Sequence, residues 1–206
     1  MKDSLLIIGA SGHGKVVADV AIKMGKWKEI FFLDDNPKVK NSMGIDVIDD
    51  SKSLSKYIEH YDIFVGIGNN KIRKITHKKL QAEGASIPVL VHPSAIIGKD
   101  VQIECGTVVM AGAVINSSTK IGEGCIINTG STVDHDNEIC DYVHISPGDN
   151  LAGTVIIVEC SWIGIGSVIS NNVKVTKQTI IGAGGLVLKD IIESGTYVGV
   201  PVRRIR

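Results

Sequence analysis

The chain of 206 residues has few aromatic side chains, no net charge and no long uncharged apolar run. Phe, Trp and Tyr make up only 4% of it, which disfavours a thick core built around large rings. Lys plus Arg equals Asp plus Glu at 22 each, so the basic excess that non-specific nucleic-acid binding usually needs is lacking. No apolar stretch of about 18 residues is present, and the N-terminus lacks a signal-peptide pattern. We therefore expect a cytoplasmic protein without nucleic-acid or membrane partners.

Cysteine is also scarce, and its four residues form no CxxC pair. Cys105, Cys125, Cys140 and Cys160 are scattered through the second half of the chain. This pattern favours reduced, partly buried thiols over a zinc site or a disulfide framework. We expect no bound metal.

What the chain does have is an aliphatic residue at every sixth position from 97 to 187. These positions are Ile97, Ile103, Val109, Ile115, Ile121, Ile127, Val133, Ile139, Ile145, Leu151, Ile157, Ile163, Ile169, Val175, Ile181 and Val187. A period of six fits neither an amphipathic helix nor a simple strand, and it is typical of a solenoid in which each repeat supplies a short strand and a turn. The unbroken register also predicts that no long loop interrupts the coil.

The first 85 residues carry a different pattern, in which short apolar runs alternate with helical periodicity. Residues 5–8, 30–33 and 63–67 are predicted to be strands of a parallel sheet. A glycine-rich turn at 9–14 leads into a helix that ends at Gly25, and residues 72–83 form an amphipathic helix. A short helix is predicted over residues 51–58, with Ser51 as a candidate cap. This order predicts a parallel α/β layer ahead of the solenoid.

The ends of the three predicted strands are rich in glycine and carboxylates. They are the turn at 9–14, Asp34 with Asp35, and Gly68. In an open parallel sheet, ligands bind beyond the carboxyl ends of the strands. Glycines let a pyrophosphate approach the backbone, a helix N-terminus stabilises its charge, and a carboxylate accepts hydrogen bonds from a ribose or a base. The GxxGxG spacing differs from the usual dinucleotide fingerprint, so a purely structural turn is the alternative interpretation.

Three histidines fall within the predicted solenoid, and His135 has the most distinctive neighbours. It lies two residues past a core position, which predicts that its side chain is at an edge or on the outside of the coil. Asp134 and Asp136 flank it and can orient the imidazole and stabilise its cationic form. His92 lies at the start of the solenoid, and His144 lies nine residues after His135. The alternative is that His135 is an ordinary exposed histidine in a charged turn.

Eight short motifs follow one another in an order that is more specific than any one of them. They are GASGHGKVV at 9–17, FLDD at 32–35, IGNN at 67–70, HPSA at 92–95, INTGSTVDHD at 127–136, HISPG at 144–148, LAG at 151–153 and GVPVRRI at 199–205. Together they resemble the bacterial acyltransferases that join a small Rossmann-like nucleotide-sugar domain to a left-handed parallel β-helix of hexapeptide repeats. The closest likeness is to UDP-4-amino-sugar N-acetyltransferases of the bacillosamine type, with sialic-acid O-acetyltransferases as near relatives.

This resemblance implies a fold class of α/β plus an all-β solenoid, with domains over 1–85 and 86–188 and a tail over 189–206. It implies transfer of acetyl from acetyl-CoA to the 4-amino group of a UDP-linked amino-dideoxy sugar, without a metal. His135 matches the catalytic base and Asp136 the acidic residue that strengthens it. The positions that match acetyl-CoA contacts are His144, Asn128, Gly153, Ile165 and Ala183. Those that match the nucleotide-sugar pocket are Ser11, Gly12, His13, Asp34, Asp35 and Gly68. The family's trimeric state implies a homotrimer with active sites between subunits.

Three other functions stay open at this point. An O-acetyltransferase acting on a sialic acid or another sugar hydroxyl would use the same histidine base. A non-catalytic nucleotide-sugar-binding protein would explain the strand ends but not the Asp-His-Asp turn. A zinc hydrase on the same repeat fold would need three histidines spread over two subunits, and such enzymes lack the N-terminal nucleotide domain. The nucleotide motifs and the greater nucleophilicity of an amine favour N-acetylation.

Overall fold

The structure, a computed structural model, describes residues 2–206 and divides into two compact units. The first extends to Leu90, and the second runs from Val91 to Arg206. The finer domain limits drawn from the sequence, at 85/86 and 188/189, stay a proposal. Within residues 2–206, no helix is both long enough and apolar enough to cross a membrane.

The first unit contains a five-stranded mixed sheet and two α-helices. Its elements are β1 (Ser4–Ile8), α1 (Gly12–Met24), β2 (Glu29–Leu33), β3 (Asn41–Ser42), β4 (Ile45–Asp49), a 3-10 helix (Ser51–Lys56), β5 (Tyr61–Val65) and α2 (Asn70–Ala82). The strand order is β3-β4-β2-β1-β5, and every pairing is parallel except that of β3 with β4. The predicted parallel layer is confirmed for the central strands. The β3–β4 hairpin was not predicted, because a methionine, Met43, takes the left-handed turn position (φ +58°) at which a sequence pattern calls for Asn, Asp or Gly.

Capping residues set the helix limits. α1 ends at Gly25, whose φ of +62° is the left-handed helix stop that was predicted. The predicted helix at 51–58 is a shorter 3-10 helix, and Ser51 is not its cap. Asp50 caps it instead, because its carboxylate accepts hydrogen bonds from two backbone N–H groups of the first turn. Asn69 caps α2 in the same way.

Three glycines allow close packing between the turn after β1 and the end of β5. A Cβ atom at Gly14 would lie 1.9 Å from the Gly9 carbonyl oxygen, and one at Gly66 would lie 2.8 Å from Ile7 Cγ2. Gly9 also has a φ of +99°, which L side chains rarely adopt. By contrast, a Cβ atom at Gly12 would meet nothing within 4 Å. The structural interpretation of the turn therefore applies to Gly9 and Gly14 but not to Gly12.

The second unit is a parallel three-sheet β-helix, as the hexapeptide period predicts. Each strand pairs with the strand 18 residues further on, as Val114 does with Thr132. Sheet I contains β7 (Ile96–Ile97), β10 (Val114–Ile115), β13 (Thr132–Val133), β16 (Asn150–Leu151), β19 (Val168–Ile169) and β22 (Leu186–Val187). Sheet II contains β8 (Gln102–Ile103), β11 (Lys120–Ile121), β14 (Glu138–Ile139), β17 (Ile156–Ile157) and β20 (Lys174–Val175). Sheet III contains β6 (Leu90–Val91), β9 (Val108–Val109), β12 (Ile126–Ile127), β15 (His144–Ile145), β18 (Trp162–Ile163), β21 (Ile180–Ile181) and the terminal hairpin of β23 (Thr196–Gly199) and β24 (Val202–Arg204).

From β8 onward, the second residue of each two-residue strand points inward and belongs to, or packs against, one core cluster that runs along the coil, whereas Ile97 in β7 is exposed. These residues are the aliphatic sixth positions, and from Val109 to Val187 they are almost completely buried. The turns repeat with the same period, since every sixth residue from Asp100 to Gly184 has a positive φ. The first residue of each strand therefore lies on the outer face of the coil. Most of these residues can be reached by a ligand or a second chain, although Val108 and Ile126 are fully buried.

The turns between strands form three edges of the coil. Residues 134–137 and 152–155 lie on the edge between sheets I and II, and residues 128–131, 146–149, 164–167 and 182–185 lie on the edge between sheets III and I. The last residue of a turn links successive coils. Asn137 Nδ2 donates to the Ala152 carbonyl at 3.0 Å, and its Oδ1 accepts from the Val155 N–H at 2.7 Å. The coils are thus joined by side-chain bonds as well as by the sheets.

Candidate active site

His135 lies on the I–II edge with Asp136 against its ring. His135 Nδ1 is 2.8 Å from Asp136 Oδ2, and the two side chains are 58% and 59% exposed. Asp136 can fold back onto its neighbour because it occupies the left-handed position of the turn, with a φ of +56°. The hydrogen bond to Asp136 is the main cause that raises the pKa of His135, with the charges of Asp134 and Asp136 adding to it. A carboxylate that accepts a hydrogen bond from Nδ1–H keeps the proton on Nδ1 and leaves Nε2 as the basic atom.

Asp134 and Gly153 complete the surroundings of the His135 ring. Asp134 Oδ1 accepts from Asn116 Nδ2 at 2.8 Å and from the His135 N–H at 2.9 Å, and these bonds lower the pKa of Asp134. A Cβ atom at Gly153, one coil further on, would lie 2.6 Å from His135 Nε2. The glycine therefore makes room for the imidazole, and the Thr154 N–H donates to the His135 carbonyl at 3.0 Å.

A second group lies on the III–I edge and the adjoining face of sheet III. Asn128 Nδ2 donates to His144 Nε2 at 3.1 Å. The His144 ring stacks on Trp162, with ring centroids 5.9 Å apart and planes 7° from parallel. Trp162 Nε1 donates to Ser146 Oγ at 2.8 Å. Neither Trp162 nor Ser146 was predicted, although a tryptophan one residue before a core position is a signal that the sequence contains.

The predicted solenoid residues therefore form two groups on different edges. His135, Asp136 and Gly153 are together on the I–II edge. Asn128, Ile165 and Ala183 lie in three different turns of the III–I edge, with His144 beside Asn128. A depression of about 440 Å³ on sheet II, lined by charged and apolar residues such as Lys120, Glu138 and Ile139, includes none of these residues. One chain brings together the members of each group but leaves the two groups on separate edges.

The predicted nucleotide-sugar residues gather at the carboxyl ends of β1, β2 and β5. Ser11 precedes α1, and its side chain makes no capping hydrogen bond to the helix. The first turn of α1 carries no acidic residue, and the space beside Gly12 is open. The N-terminal backbone N–H groups of a helix are unsatisfied within the helix and attract anions. This end of α1 is therefore suited to a phosphate.

A cavity of about 220 Å³ lies beside this turn. Its lining consists of Ile8, Gly9, Ser11, Leu33, Asp34, Asp35, Ser51 and Ile67. Asp34 holds the local backbone, because its two oxygens accept from the Ala10 N–H at 2.8 Å and the Asn36 N–H at 2.9 Å. Asp35 Oδ1 accepts from the Ser51 N–H at 2.9 Å, and hydrogen bonding by Ser51 lowers the pKa of Asp35. The cavity is thus bordered by two carboxylates whose positions are fixed by hydrogen bonds from backbone groups.

His13 and Gly68 are next to each other, and Gly68 directly follows Ile67, which lines this cavity. A Cβ atom at Gly68 would lie 3.8 Å from His13 Cβ. Burial, and then the charge of Arg73, lower the pKa of His13 to about 4, so the ring is neutral at pH 7. Within the described residues, its buried Nε2 has no hydrogen-bond partner. Arg73 was not predicted, although it shares a helical stripe with Leu80, and it donates to the Gly68 carbonyl at 2.9 Å.

No disulfide joins any of the four cysteines. In the part of the chain that the structure describes, no group of three or more His, Cys, Asp or Glu residues is placed to hold a metal ion. The histidines that a zinc site would need have other contacts. His92 Nδ1 accepts from the Ser94 N–H at 3.0 Å, and His144 is bonded to Asn128.

Known proteins resemble this chain in both sequence and fold. The PglD N-terminal domain family matches residues 4–80, and the bacterial transferase hexapeptide family matches residues 100–135. The acetyltransferase domain of PglB from Neisseria gonorrhoeae FA1090 is 39% identical, with a TM-score of 0.96 over 99% of this chain and 100% of that one. A structure of the same domain was solved in complex with acetyl coenzyme A. PerB from Caulobacter crescentus, in complex with CoA and GDP-perosamine, is 34% identical, with a TM-score of 0.93 over 98% of this chain and 97% of that one.

A curated relative extends this likeness. The UDP-N-acetylbacillosamine N-acetyltransferase of Bacillus subtilis (strain 168) is 35% identical over 111 residues, which are 52% of this chain and 51% of that protein. The match thus spans about half the length of this curated relative. The two matching families lie in the same order as the two units of the structure, and the likeness to the Neisseria domain covers both units. The chain therefore belongs to the PglD-type hexapeptide-repeat sugar N-acetyltransferases.

Proposed function

We propose that the protein transfers acetyl from acetyl-CoA to the 4-amino group of a UDP-linked amino-dideoxy sugar, with His135 as the general base. The observation that carries this proposal is the His135–Asp136 pair, which presents a basic Nε2 on an exposed edge beside Gly153. An imidazole oriented by a carboxylate is the usual general base near neutral pH. Because the reaction uses acetyl-CoA, we also expect the protein to be cytoplasmic.

The proposed reaction is a direct transfer. The sugar amine attacks the thioester carbonyl, a C–N bond forms, and the C–S bond breaks. His135 Nε2 takes the amine proton and returns it to the departing sulfur of CoA, so the imidazole ends neutral. The developing oxyanion needs an N–H donor, and the Gly153 N–H is suited to this because it donates to no other described residue. No covalent enzyme intermediate is required.

The nucleotide portion is proposed to bind in the first unit. The pyrophosphate would lie at the N-terminus of α1, where the open space beside Gly12 lets it approach the backbone. The nucleoside would extend into the cavity bordered by Ser11, Asp35 and Ser51. His13 is neutral and enclosed, so we assign it a supporting position behind the pocket rather than a charge contact with phosphate.

The carboxylates at the end of β2 favour uracil over guanine as the base. Guanine offers two adjacent N–H donors, which are recognised best by both oxygens of one carboxylate. Both oxygens of Asp34 already accept backbone N–H bonds, and Ser51 occupies one oxygen of Asp35. Uracil has a single ring N–H and needs only one acceptor. We therefore expect a UDP-sugar rather than a GDP-sugar such as the one bound to PerB.

A homotrimer with active sites between subunits is proposed for two reasons. The two groups of solenoid site residues lie on different edges, so a complete site needs the I–II edge of one chain beside the III–I edge of another. The outward residues of sheet I also carry no charge, and they are Ile96, Val114, Thr132, Asn150, Val168 and Leu186. Those of sheet II include Lys120, Glu138 and Lys174. The uncharged face of sheet I is suited to contact between subunits, and the charged face of sheet II is suited to contact with water.

The first experiment is thiol release from acetyl-CoA with a UDP-4-amino-4,6-dideoxy-N-acetylglucosamine acceptor, beside the His135→Ala variant. We expect rapid release by the wild type and a kcat lower by about 10²–10⁴ in the variant, with little change in acceptor KM. A variant with undiminished kcat would exclude His135 as the base. If the wild type releases no thiol with this acceptor, the proposal fails, and sialic acid and GDP-linked amino sugars become the next acceptors to assay.

A further inference from the structure

The outward face of sheet III carries two aromatic rings and an aliphatic side chain in register beside the proposed donor site. His144, Trp162 and Ile180 are hydrogen-bonded neighbours in β15, β18 and β21, and we call them the sheet III strip. Trp162 is 46% exposed and Ile180 is 40% exposed. The chain has two tryptophans, and the other, Trp27, is buried and donates from its Nε1 to Asp62 at 2.9 Å.

The Trp162 ring is held in one orientation although half of it faces outward. One face stacks on His144, and its Nε1 donates to Ser146 Oγ at 2.8 Å. These two contacts restrict the two rotatable bonds of the side chain before any ligand arrives. A large apolar surface that is both exposed and fixed is preorganised for binding, because little rotamer freedom remains to be lost.

The position of the strip points to the acyl donor. The strip lies next to the III–I edge, which carries Asn128, Ile165 and Ala183, the residues proposed to contact acetyl-CoA. Strands of one sheet are about 4.8 Å apart, so the three side chains span about 10 Å along the coil. The pantetheine arm of CoA is an extended chain in which apolar carbons alternate with two amides. This arm fits a narrow surface of two rings and an aliphatic side chain better than it fits the outer face of sheet II, which carries Lys120, Glu138 and Lys174.

We infer that Trp162 is a donor-binding residue, against whose indole the pantetheine arm of acetyl-CoA packs. This inference rests on the proposed function, in which CoA lies along the III–I edge. The indole binds the arm equally in the ground state and the transition state, so its loss weakens donor binding without slowing the chemical step. The nucleotide sugar does not contact it.

The kinetic test compares Trp162→Ala, Trp162→Phe and the surface control Glu138→Ala on sheet II. For Trp162→Ala we expect KM for acetyl-CoA to rise about tenfold, while kcat and the acceptor KM stay within about twofold. Trp162→Phe keeps an aromatic face and should recover most of the donor affinity, and Glu138→Ala should resemble the wild type. An equal fall in kcat with unchanged donor KM, or a changed oligomeric state in Trp162→Ala, would overturn the inference.

A direct test uses the fluorescence of Trp162. In a Trp27→Phe background Trp162 is the only indole, and saturating CoA should shift its emission and protect it from iodide quenching. If Trp27→Phe does not fold, iodide quenching of the wild type serves, because Trp27 is shielded by burial. Equilibrium dialysis with CoA is run in parallel. CoA that binds without altering Trp162 quenching would overturn the inference alone, whereas no CoA binding at all would overturn the proposed function.

Discussion

At the scale of single residues, His135 owes its surroundings to the backbone of the residue that follows it. Adjacent side chains on an extended strand point to opposite faces, so a neighbouring carboxylate would not normally reach the ring. The left-handed conformation of Asp136 turns its carboxylate back to within 2.8 Å of Nδ1. Asp134, on the other side, is bonded to backbone and to Asn116 instead. Asp136 therefore orients the imidazole of His135, whereas Asp134 holds the backbone of the turn.

Asp136→Asn should shift the acid limb of the pH profile of kcat/KM to lower pH. The hydrogen bond to Asp136 raises the pKa of His135, and a neutral amide would support the imidazolium less. Because the base must be unprotonated to act, a lower pKa keeps it active in more acidic solution, while its weaker basicity lowers kcat by about tenfold. The measurement compares the pH profile of Asp136→Asn with those of the wild type and of Asp134→Asn. The acid limb of Asp134→Asn should shift less than that of Asp136→Asn. An unchanged midpoint in Asp136→Asn would show that the pair does not set the pKa.

Asp149 is a second residue whose charge matters, because it is fully buried in the III–I edge. Burial raises its pKa to about 8, although the N–H groups of Ser167, at 2.9 Å, and Ser146, at 2.6 Å, oppose this rise. Asn137 occupies the same turn position on the I–II edge and both donates and accepts bonds between coils. Only a protonated Asp149 could donate in this way.

Stability should therefore fall as the pH rises from about 5 to 8, and Asp149→Asn should remove this fall. An unfolded aspartate ionises near pH 4, so across this range the native state binds more protons than the unfolded state and ionisation costs stability. Above pH 8 the curve should level off. Thermal unfolding at several pH values measures the effect, with Glu138→Gln at an exposed position of sheet II as the control. Parallel curves for the wild type and Asp149→Asn would mean that Asp149 is already ionised at pH 5.

At the scale of elements, the turn between β1 and α1 divides its glycines between packing and ligand access. Gly9 and Gly14 let the turn approach the end of β5, and no side chain fits between them. Gly12 is on the open side, where α1 presents its unsatisfied N–H groups. A pattern of three glycines thus contains two structural positions and one that is available for function.

Gly14→Ala should lower the free energy of unfolding by about 3 kcal/mol, because the new Cβ would overlap the Gly9 carbonyl. Gly12→Ala should change it by less than about 0.5 kcal/mol, since the methyl group meets nothing. The second variant should instead raise KM for the nucleotide sugar. Urea denaturation and acceptor kinetics separate the two effects. A Gly12→Ala enzyme with normal acceptor KM would place the pyrophosphate elsewhere.

At the scale of the whole molecule, the three outer faces of the solenoid differ in chemistry. Sheet I is uncharged, sheet II is charged, and sheet III carries the strip of His144, Trp162 and Ile180. The inward faces are alike because one apolar core serves all three sheets. The outer faces, rather than the core, therefore determine which ligand or subunit contacts each side of the coil.

Val168→Lys on sheet I should dissociate the proposed trimer and abolish acetyl transfer, because a site assembled from two chains would be lost. Val168 is 43% exposed in the single chain, so a lysine there should not unfold the coil. Ile156→Lys, the same kind of change at an outward position of sheet II, is the matched control and should remain trimeric and active. Sedimentation velocity and thiol release test both variants. A monomeric but active enzyme would rule out sites shared between subunits.

Much of this architecture follows from local periodicity, which the sequence displays directly. Aliphatic residues that recur every six positions share one core if each repeat forms one side of a three-sided coil. The strands, their register and the core therefore follow from the repeat itself, without reference to distant residues. The alternation of apolar runs and helical stripes likewise determined the central strands and both α-helices of the first unit. The placement of His135 at an edge follows from the same register.

Other features depend on contacts that no local pattern contains. The turn of the β3–β4 hairpin contains Met43 in a left-handed conformation. Asp50 rather than Ser51 caps the 3-10 helix, because the Asp50 carboxylate accepts hydrogen bonds from two N–H groups. The division of the solenoid residues between two edges became visible only when the coil was closed. Gly153 meets His135, and Trp162 meets His144, because they are 18 residues apart and one coil brings them side by side. Sequence periodicity therefore determined which residues face outward, whereas the tertiary structure decided which of them meet, because stacking joins positions that the chain separates.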